Sequence, residues 1–156
     1  MGTRCYVYID KNSPYKGNTI AAHGSYRHWD GYPLGAGLDL LHFAATMRER
    51  KPYLDTAGIA VRLTAMHTLR GCSSTKVETE PDSANHANIG DTEYEYWIEV
   101  SDDKWRVHFR ELNWTDDTWS PWSELTWARL EKDWLSYCRR AGERITTLDR
   151  TPSPLI

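Results

Sequence analysis

The sequence predicts an α+β fold in which an antiparallel sheet of two hairpins, in the order ββααββα, is covered on one face by helices. Three observations support this prediction. Apolar residues alternate with a period of two near the N-terminus and again at 93–112, they recur at intervals of three and four in three other segments, and turn-forming residues separate the segments. The length of 156 residues suits one domain, which we place at 1–145, followed by a flexible tail at 146–156.

The first hairpin is predicted at the N-terminus. Residues 3–10 alternate apolar side chains with polar and aromatic ones, which is the period of a half-buried strand. Residues 11–18 contain a proline and a glycine and are expected to form a loop. Residues 19–29 alternate again and form the second strand.

Two helices are predicted next. The first, at 38–50, carries an apolar stripe and ends in cations, which the negative end of a helix dipole favours. Pro52 stops it, and 54–69 form the second helix, with small and apolar residues at intervals of three and four.

The second hairpin is the clearest element of the sequence. Residues 72–91 are polar and acidic and form a long surface excursion before it. The sequence leaves open whether part of this excursion pairs with the sheet as an extra strand. Residues 93–100 and 105–112 then pair around a four-residue loop. Placing Val100 opposite Trp105 sets acidic side chains opposite basic ones on one face and apolar side chains opposite each other on the second. We expect the first face to be a salt-bridged surface and the second to be core.

The last helix is expected to begin at Ser120 as its N-cap, with Pro121 at the first helical position, and to end before Gly142. Its apolar stripe is largely aromatic and consists of Trp127, Leu130, Trp134 and Tyr137.

Composition excludes several classes of function. A net charge of −3 gives no attraction to a nucleic-acid backbone, so we expect no direct nucleic-acid binding. No apolar stretch is long enough to cross a membrane, so we expect no membrane partner. Cys5, Cys72 and Cys138 are isolated from one another, which indicates a reducing compartment and a cytoplasmic protein.

Motifs for cofactors, metals and catalysis are missing from the sequence. The six histidines show no ligand spacing such as His-x-x-x-His. No phosphate-binding loop, dinucleotide fingerprint or hydrolase elbow occurs. We therefore expect no cofactor, no metal and no catalytic residue.

The most distinctive segment is the octapeptide Tyr26-Arg27-His28-Trp29-Asp30-Gly31-Tyr32-Pro33, where the second strand turns toward the first helix. Loops that follow a strand commonly carry function on a rigid scaffold. The candidate binding residues are Tyr26, Arg27, His28, Trp29, Asp30 and Tyr32.

Three interpretations of the octapeptide stay open. It can be a pocket in which rings stack a base and Arg27 meets a phosphate. It can be a hydrolytic site in which Asp30 orients His28 as a general base. It can also be a structural turn, with Trp29 and Tyr32 filling the gap between sheet and helices.

An acidic stretch is the strongest local charge in the sequence, with nine carboxylates and two lysines between residues 76 and 104. It includes the candidate binding residues Glu78, Glu80 and Asp82. The stretch can dock a basic partner, or it can be a solvated loop whose strand carboxylates pair with Arg106 and Arg110.

Tryptophan and tyrosine are unusually common, with eight and nine residues against two phenylalanines. Trp114 and Trp119 are candidate binding residues, since such rings form interface hot spots. The alternative is that the tryptophans at 114, 119 and 122 staple the last helix onto the sheet.

The octapeptide, the Thr-Arg start of the first strand, the helix at 38–50 and the Gly90-Asp91-Thr92-Glu93-Tyr94-Glu95-Tyr96 segment together resemble a family of small uncharacterised proteins of bacteriophages and other mobile elements. The resemblance covers residues 3–112 and leaves out 114–134. It supplies no catalytic residues. It implies an accessory protein of a mobile element, and small acidic proteins of that kind often inhibit host defence by binding.

Three functions follow as hypotheses. The first is a small non-catalytic binding protein of the anti-CRISPR kind, which occupies a surface of a host protein or protein complex. The alternative is a nucleotide- or small-ligand-binding domain with its pocket at 26–33, and the third is a hydrolase. The sequence leaves the oligomeric state and the identity of the partner open.

Overall fold

A computed structural model of the chain describes residues 3–15, 17–50, 55–72, 77–85, 92–101 and 104–150. Within these residues the elements are, in order, β1 (Cys5–Asp10), β2 (His23–Arg27), a π-helical turn (Pro33–Gly37), α1 (Leu38–Arg50), α2 (Thr56–Leu69), β3 (Val77–Thr79), β4 (Tyr94–Val100), β5 (Trp105–Asn113), β6 (Thr118–Trp119), β7 (Ser123–Glu124) and α3 (Trp127–Ala141).

The sheet is mixed, which corrects the predicted antiparallel arrangement. Its strand order is β3-β2-β1-β4-β5-β6, and β7 pairs with β5 as well. The β1–β2, β2–β3 and β4–β5 pairs are antiparallel, whereas β1 and β4 run parallel at the centre. The difference arises because β3 joins the first hairpin as a third strand, so the chain must cross over the sheet before it enters β4 beside β1.

The helices cover one face of the sheet, as predicted, and form the main core with it. Buried side chains of the three central strands pack against buried side chains of α1 and α2. This core includes Cys5, Val7, Ile9, Tyr96, Ile98, Val107 and Phe109 from the strands, and Leu40, Phe43, Met47, Ile59, Leu63 and Met66 from the helices.

The β4–β5 hairpin has the predicted register. Val100 lies opposite Trp105, Glu99 opposite Arg106 and Glu95 opposite Arg110. The first face of the hairpin carries the expected ion pair between Glu95 and Arg110, at 3.3 Å, but this face is buried and is not the surface that we expected.

The sheet face that lies away from the helices includes this first face of the hairpin. We call it the second face of the sheet, and it forms a smaller core. Tyr6, Tyr8 and Trp97 are buried there with Ala21, and Trp122 packs against them. The loop before β2 and the crossover after β3 cover the face, joined by the Ala21 N–H bond to the Pro81 carbonyl. Glu95 and Trp97 are consequently fully buried.

The predicted helix bounds hold for α1 and shift for α3. Thr126 is the N-cap of α3 and its hydroxyl accepts a hydrogen bond from the Arg129 N–H. Ser120 instead accepts from the backbone N–H of Glu111, which fixes the β5–β6 pair. The segment that we assigned to the first turns of α3 therefore belongs to the sheet. Helix α2 begins at Thr56, and residue 54 lies outside the described part of the chain.

Residues 146–150, part of the predicted tail, lie against α3. Leu148 is buried, the indole N–H of Trp134 donates to the Thr146 carbonyl, and the Arg150 guanidinium lies over the Trp127 ring. Residues 151–156, with Pro152 and Pro154, lie outside the described residues. None of the described helices has the length and apolar content needed to cross a membrane.

Candidate functional site

Arg27 of the octapeptide points into the interior. It pairs with Cys5 of β1 across the β1–β2 ladder, so its side chain lies on the helix-covered face. Its guanidinium is 2% exposed, and Nη1 is 2.7 Å from Asp39 Oδ2. Arg70 reaches the second Asp39 oxygen at 2.8 Å. Arg27 therefore holds α1 against β2, and the structure does not place it where a ligand phosphate could reach it.

The turn that follows Arg27 is built against β1. Asp30 has a φ of 54°, and its carbonyl accepts from the Ala36 N–H at 2.7 Å. Gly31 donates to the Thr3 carbonyl, and a Cβ added at Gly31 would lie 2.7 Å from the Arg4 carbonyl carbon. Only glycine therefore allows this approach, and the centre of the octapeptide is a structural turn.

Two rings of the octapeptide, those of Trp29 and Tyr32, lie at the surface. Trp29 is 43% exposed and Tyr32 is 40% exposed, so neither fills the gap between sheet and helices as the structural interpretation required. His28 contacts the Trp29 ring edge-on, with 4.7 Å between the ring centroids.

Asp30 does not orient His28 as the hydrolytic interpretation required. The Tyr26 hydroxyl is hydrogen-bonded to His28 Nδ1 at 2.9 Å, and the Tyr32 hydroxyl donates to Asp30 Oδ1 at 3.3 Å. Each of the two groups therefore has a different partner. Since β2 ends at Arg27, the strand does not extend to Asp30, and its alternation does not bring His28 and Asp30 to one face.

A groove lies between the end of the octapeptide and α3, with a volume of about 630 Å³. Tyr32 and Pro33 line the groove from the octapeptide, and Trp134 and Tyr137 line it from α3. The Trp134 and Tyr137 rings are stacked, with 5.5 Å between centroids and 24° between planes. Tyr137 is 40% exposed, so the octapeptide and α3 each present a half-exposed tyrosine ring.

Charged side chains also line the groove. Arg129 Nε is 3.1 Å from Asp133 Oδ1, and the Arg129 guanidinium lies over the Phe109 ring. The remaining charged side chains of the lining are Arg140, Glu111 and Glu143. Two arginines against three carboxylates leave one net negative charge.

Tyr94, which also lines the groove, keeps its proton. Burial, followed by the carboxylates of Glu111, Glu93 and Asp133, raises the pKa of the Tyr94 phenol. Tyr94 therefore offers the groove a neutral hydroxyl and an aromatic ring.

The described carboxylates of the acidic stretch mostly serve internal contacts. Glu78 accepts from the Tyr6 hydroxyl at 2.9 Å, and Asp82 accepts from the Ala84 N–H. Glu95 is fully buried and bonded by Arg110. Of the three candidates at 78–82, Glu80 is the exposed one. Asp91, Asp102 and Asp103 lie outside the described residues.

The tryptophans after β4 have different surroundings. Trp119 and Trp122 enclose the Arg110 guanidinium, with centroids at 5.1 and 4.6 Å. Trp114 is 62% exposed at the end of β5, beside a second groove of about 650 Å³ that shares Glu111 with the first. Trp119 thus belongs to the structural cation–π cluster, whereas Trp114 is free to meet a partner.

The α3 half of the groove was missed from sequence. The apolar stripe predicted for α3 packs against the main core through Trp127, Leu130 and Trp134, whereas its fourth member, Tyr137, is 40% exposed. The excess of aromatic residues in the stripe is the signal that could have indicated a surface role.

The described residues include no group of three or more histidine, cysteine or acidic side chains that could hold a metal ion. Searches of protein-family models, curated proteins and solved structures found nothing that matches this chain.

Proposed function

We propose that the protein is a small non-catalytic binding protein that docks a partner protein in the groove between the octapeptide and α3. One observation carries this proposal. Half-exposed Tyr32 and Tyr137 face the same groove together with Trp134 and two arginines. Tyrosine, tryptophan and arginine are the residues that dominate the binding energy of protein interfaces.

The chemistry of the groove favours a basic side chain of the partner. Glu111 and Glu143 carry carboxylates for which no ion pair is described, whereas Asp133 already pairs with Arg129. A lysine or arginine entering the groove would meet these carboxylates and the faces of the tyrosine rings. The partner surface that fits is therefore positively charged.

The resemblance of the octapeptide to small phage and mobile-element proteins supports a biological setting for this binding. An accessory protein of a mobile element that covers a basic surface would inhibit a host defence protein, as anti-CRISPR proteins do. Defence proteins that act on nucleic acids bind the phosphate backbone through basic surfaces, so a protein that covers such a surface would block the binding of the nucleic acid.

The proposal is tested with Tyr137→Ala, because this ring is half exposed and leaves the main core untouched. The protein is immobilised, proteins retained from host lysate are identified by mass spectrometry, and the affinity of each purified candidate is measured. Tyr137→Ala is expected to weaken the specific partner about tenfold or more, which corresponds to ~1.4 kcal/mol. Glu143→Lys should also weaken it, and more strongly at low salt.

Two control variants separate the groove from other surfaces. Val61→Ala removes an apolar side chain on α2 that is 59% exposed and should leave the affinity unchanged. Glu80→Lys reverses a charge in the acidic stretch. If Glu80→Lys weakens the partner while Tyr137→Ala does not, the acidic stretch is the docking surface and the groove proposal is wrong.

A nucleotide- or small-ligand-binding domain is the second candidate. The groove volume of about 630 Å³ is in the range of small-molecule pockets. Since Arg27 is buried, Arg129 and Arg140 would have to receive a phosphate. In that case nucleotides should raise the melting temperature of the wild-type protein, and Tyr137→Ala should remove that rise.

A further inference from the structure

A chain of hydrogen bonds links Glu99, His108 and Tyr15, and its last member is at the surface. Glu99 Oε2 of β4 is 2.8 Å from His108 Nε2 of β5, and His108 Nδ1 is 3.1 Å from the Tyr15 hydroxyl. The imidazole is 1% exposed, whereas Tyr15, in the loop between β1 and β2, is 38% exposed. The imidazole in the middle of the chain is therefore buried, whereas the Glu99 side chain is 21% exposed and the Tyr15 end is accessible.

The two bonds fix the tautomer of His108. An ionised carboxylate only accepts hydrogen bonds, so its bond with Nε2 requires the proton of the neutral ring to be on Nε2. Nδ1 then carries a lone pair, and the Tyr15 hydroxyl donates to it. This carboxylate–imidazole–hydroxyl arrangement is the one that activates hydroxyl nucleophiles.

Tyr15 needs such a base to react at neutral pH. Partial burial, followed by the Glu124 and Glu99 carboxylates, raises the pKa of its phenol, and Arg106 opposes them. The same charges select the reaction partner. Two carboxylates against one arginine repel an anionic donor, so an uncharged one is favoured.

We propose that Tyr15 is a nucleophile that accepts an acyl group from an uncharged activated ester, with His108 as its general base. The Tyr15 oxygen attacks the ester carbonyl while His108 Nδ1 takes the phenol proton. The bond from the carbonyl carbon to the leaving group then breaks, and the leaving group departs with the electron pair and receives the proton from His108. The products are an acyl-tyrosine ester and the free alcohol or phenol. Glu99 is a positioning residue that stabilises the imidazolium.

This site is independent of the groove and of its partner. The octapeptide offers an internal comparison, because Tyr26 is bonded to His28 at a similar distance. Among the described contacts, His28 has no carboxylate bond, so the Tyr26 pair lacks the positioning residue.

The test uses p-nitrophenyl acetate with the full chain. We expect one equivalent of nitrophenolate to be released rapidly, and peptide mapping to place the acetyl group on Tyr15. Tyr137, which has nearly the same exposure and no imidazole partner among the described residues, should remain unmodified in the same sample. Tyr15→Phe should abolish the rapid phase. His108→Gln should slow it about a hundredfold or more, the usual contribution of a general base.

Glu99→Gln covers the possibility that the buried His108 variant does not fold. It preserves the size of the side chain, and it should slow acetylation about tenfold, since it removes the carboxylate that orients and stabilises the ring. NMR of the imidazole nitrogens should show a proton fixed on Nε2 in the wild type and loss of that single tautomer in the variant. Equal acetylation of Tyr15 and Tyr137, or unchanged kinetics in Glu99→Gln, would mean that the chain only anchors the loop and would overturn the proposal.

Discussion

Asp39 in the first turn of α1 is the residue at which three elements meet. Its two oxygens bind Arg27 of β2 and Arg70, the residue that caps α2, at 2.7 and 2.8 Å. Burying charged groups costs several kcal/mol unless they are paired and hydrogen-bonded. Here the two arginines share the one carboxylate, and Arg27 also donates to the Trp29 carbonyl. The octapeptide is therefore tied to the helices through its own arginine.

Asp39→Asn removes the carboxylate and leaves the Arg27 guanidinium buried without a counter-ion. We expect the free energy of unfolding to fall by about 3–5 kcal/mol, as measured by urea denaturation. Asp133→Asn is the matched control because its pair with Arg129 is partly exposed, and it should change stability by less than about 1 kcal/mol. Similar losses in the two variants would contradict a structural role for the Arg27–Asp39 pair.

The location of the Arg27 side chain was not predictable from sequence for a physical reason. The sheet face toward which a strand residue points follows from the pairing of strands, and the Arg27–Asp39 contact joins residues of different elements. By contrast, the turn was one of the interpretations of the octapeptide, because Asp30-Gly31 favours a turn through its own backbone preferences. The need for glycine at position 31 comes from the contact with Arg4 and could not be predicted in that way.

At the scale of elements, the second face of the sheet shows how far local patterns extend. The register of β4 and β5 was predicted because charged and apolar partners alternate within one short hairpin. Which strand lies beside β1, and which loops cover Glu95 and Trp97, depend on distant segments. Trp122 is one of these covering residues, with its ring 6.0 Å from Trp97 and 6.4 Å from Tyr8.

Trp122 and Trp114 should therefore differ in their contribution to stability. Trp122→Ala uncovers the second core and the Arg110 guanidinium, and we expect a loss of ~2–3 kcal/mol, below the ~3–5 kcal/mol of a fully buried ring. Trp114→Ala removes an exposed ring and should stay within about 0.5 kcal/mol. Denaturant unfolding of both variants checks the difference. Equal effects would show that Trp122 does not cover this core.

At the scale of the whole molecule, the candidate groove joins regions that are distant in sequence. Tyr32 was predicted as a binding residue, whereas Tyr137 lies about a hundred residues later and meets it only because α3 packs against the π-helical turn. Periodicity predicted that α3 exists and that it is amphipathic. It did not predict where α3 would dock, so the α3 side of the groove did not follow from the sequence.

The interior also contains a histidine that couples the stability of the whole molecule to pH. His67 of α2 is fully buried, and neither ring nitrogen has a hydrogen-bond partner within the described part of the chain. Burial, with smaller contributions from the Arg27 and Arg70 charges, lowers the pKa of His67 to about 3. The unfolded chain, in which histidine has a pKa of about 6.5, therefore binds a proton that the folded protein does not.

Stability should consequently fall with pH below about 6.5 and continue to fall toward the folded-state pKa, by at most ~1.4 kcal/mol per pH unit from this residue. Urea unfolding at pH 7, 5.5 and 4.5 measures the slope for the wild type and for His67→Leu. The variant cannot take up the proton, so it should lose less stability between pH 7 and 4.5, whatever its stability at pH 7. Carboxylates titrate in both proteins and cancel in the comparison. Parallel curves for the two proteins would show that proton uptake by His67 does not cause the loss of stability at low pH.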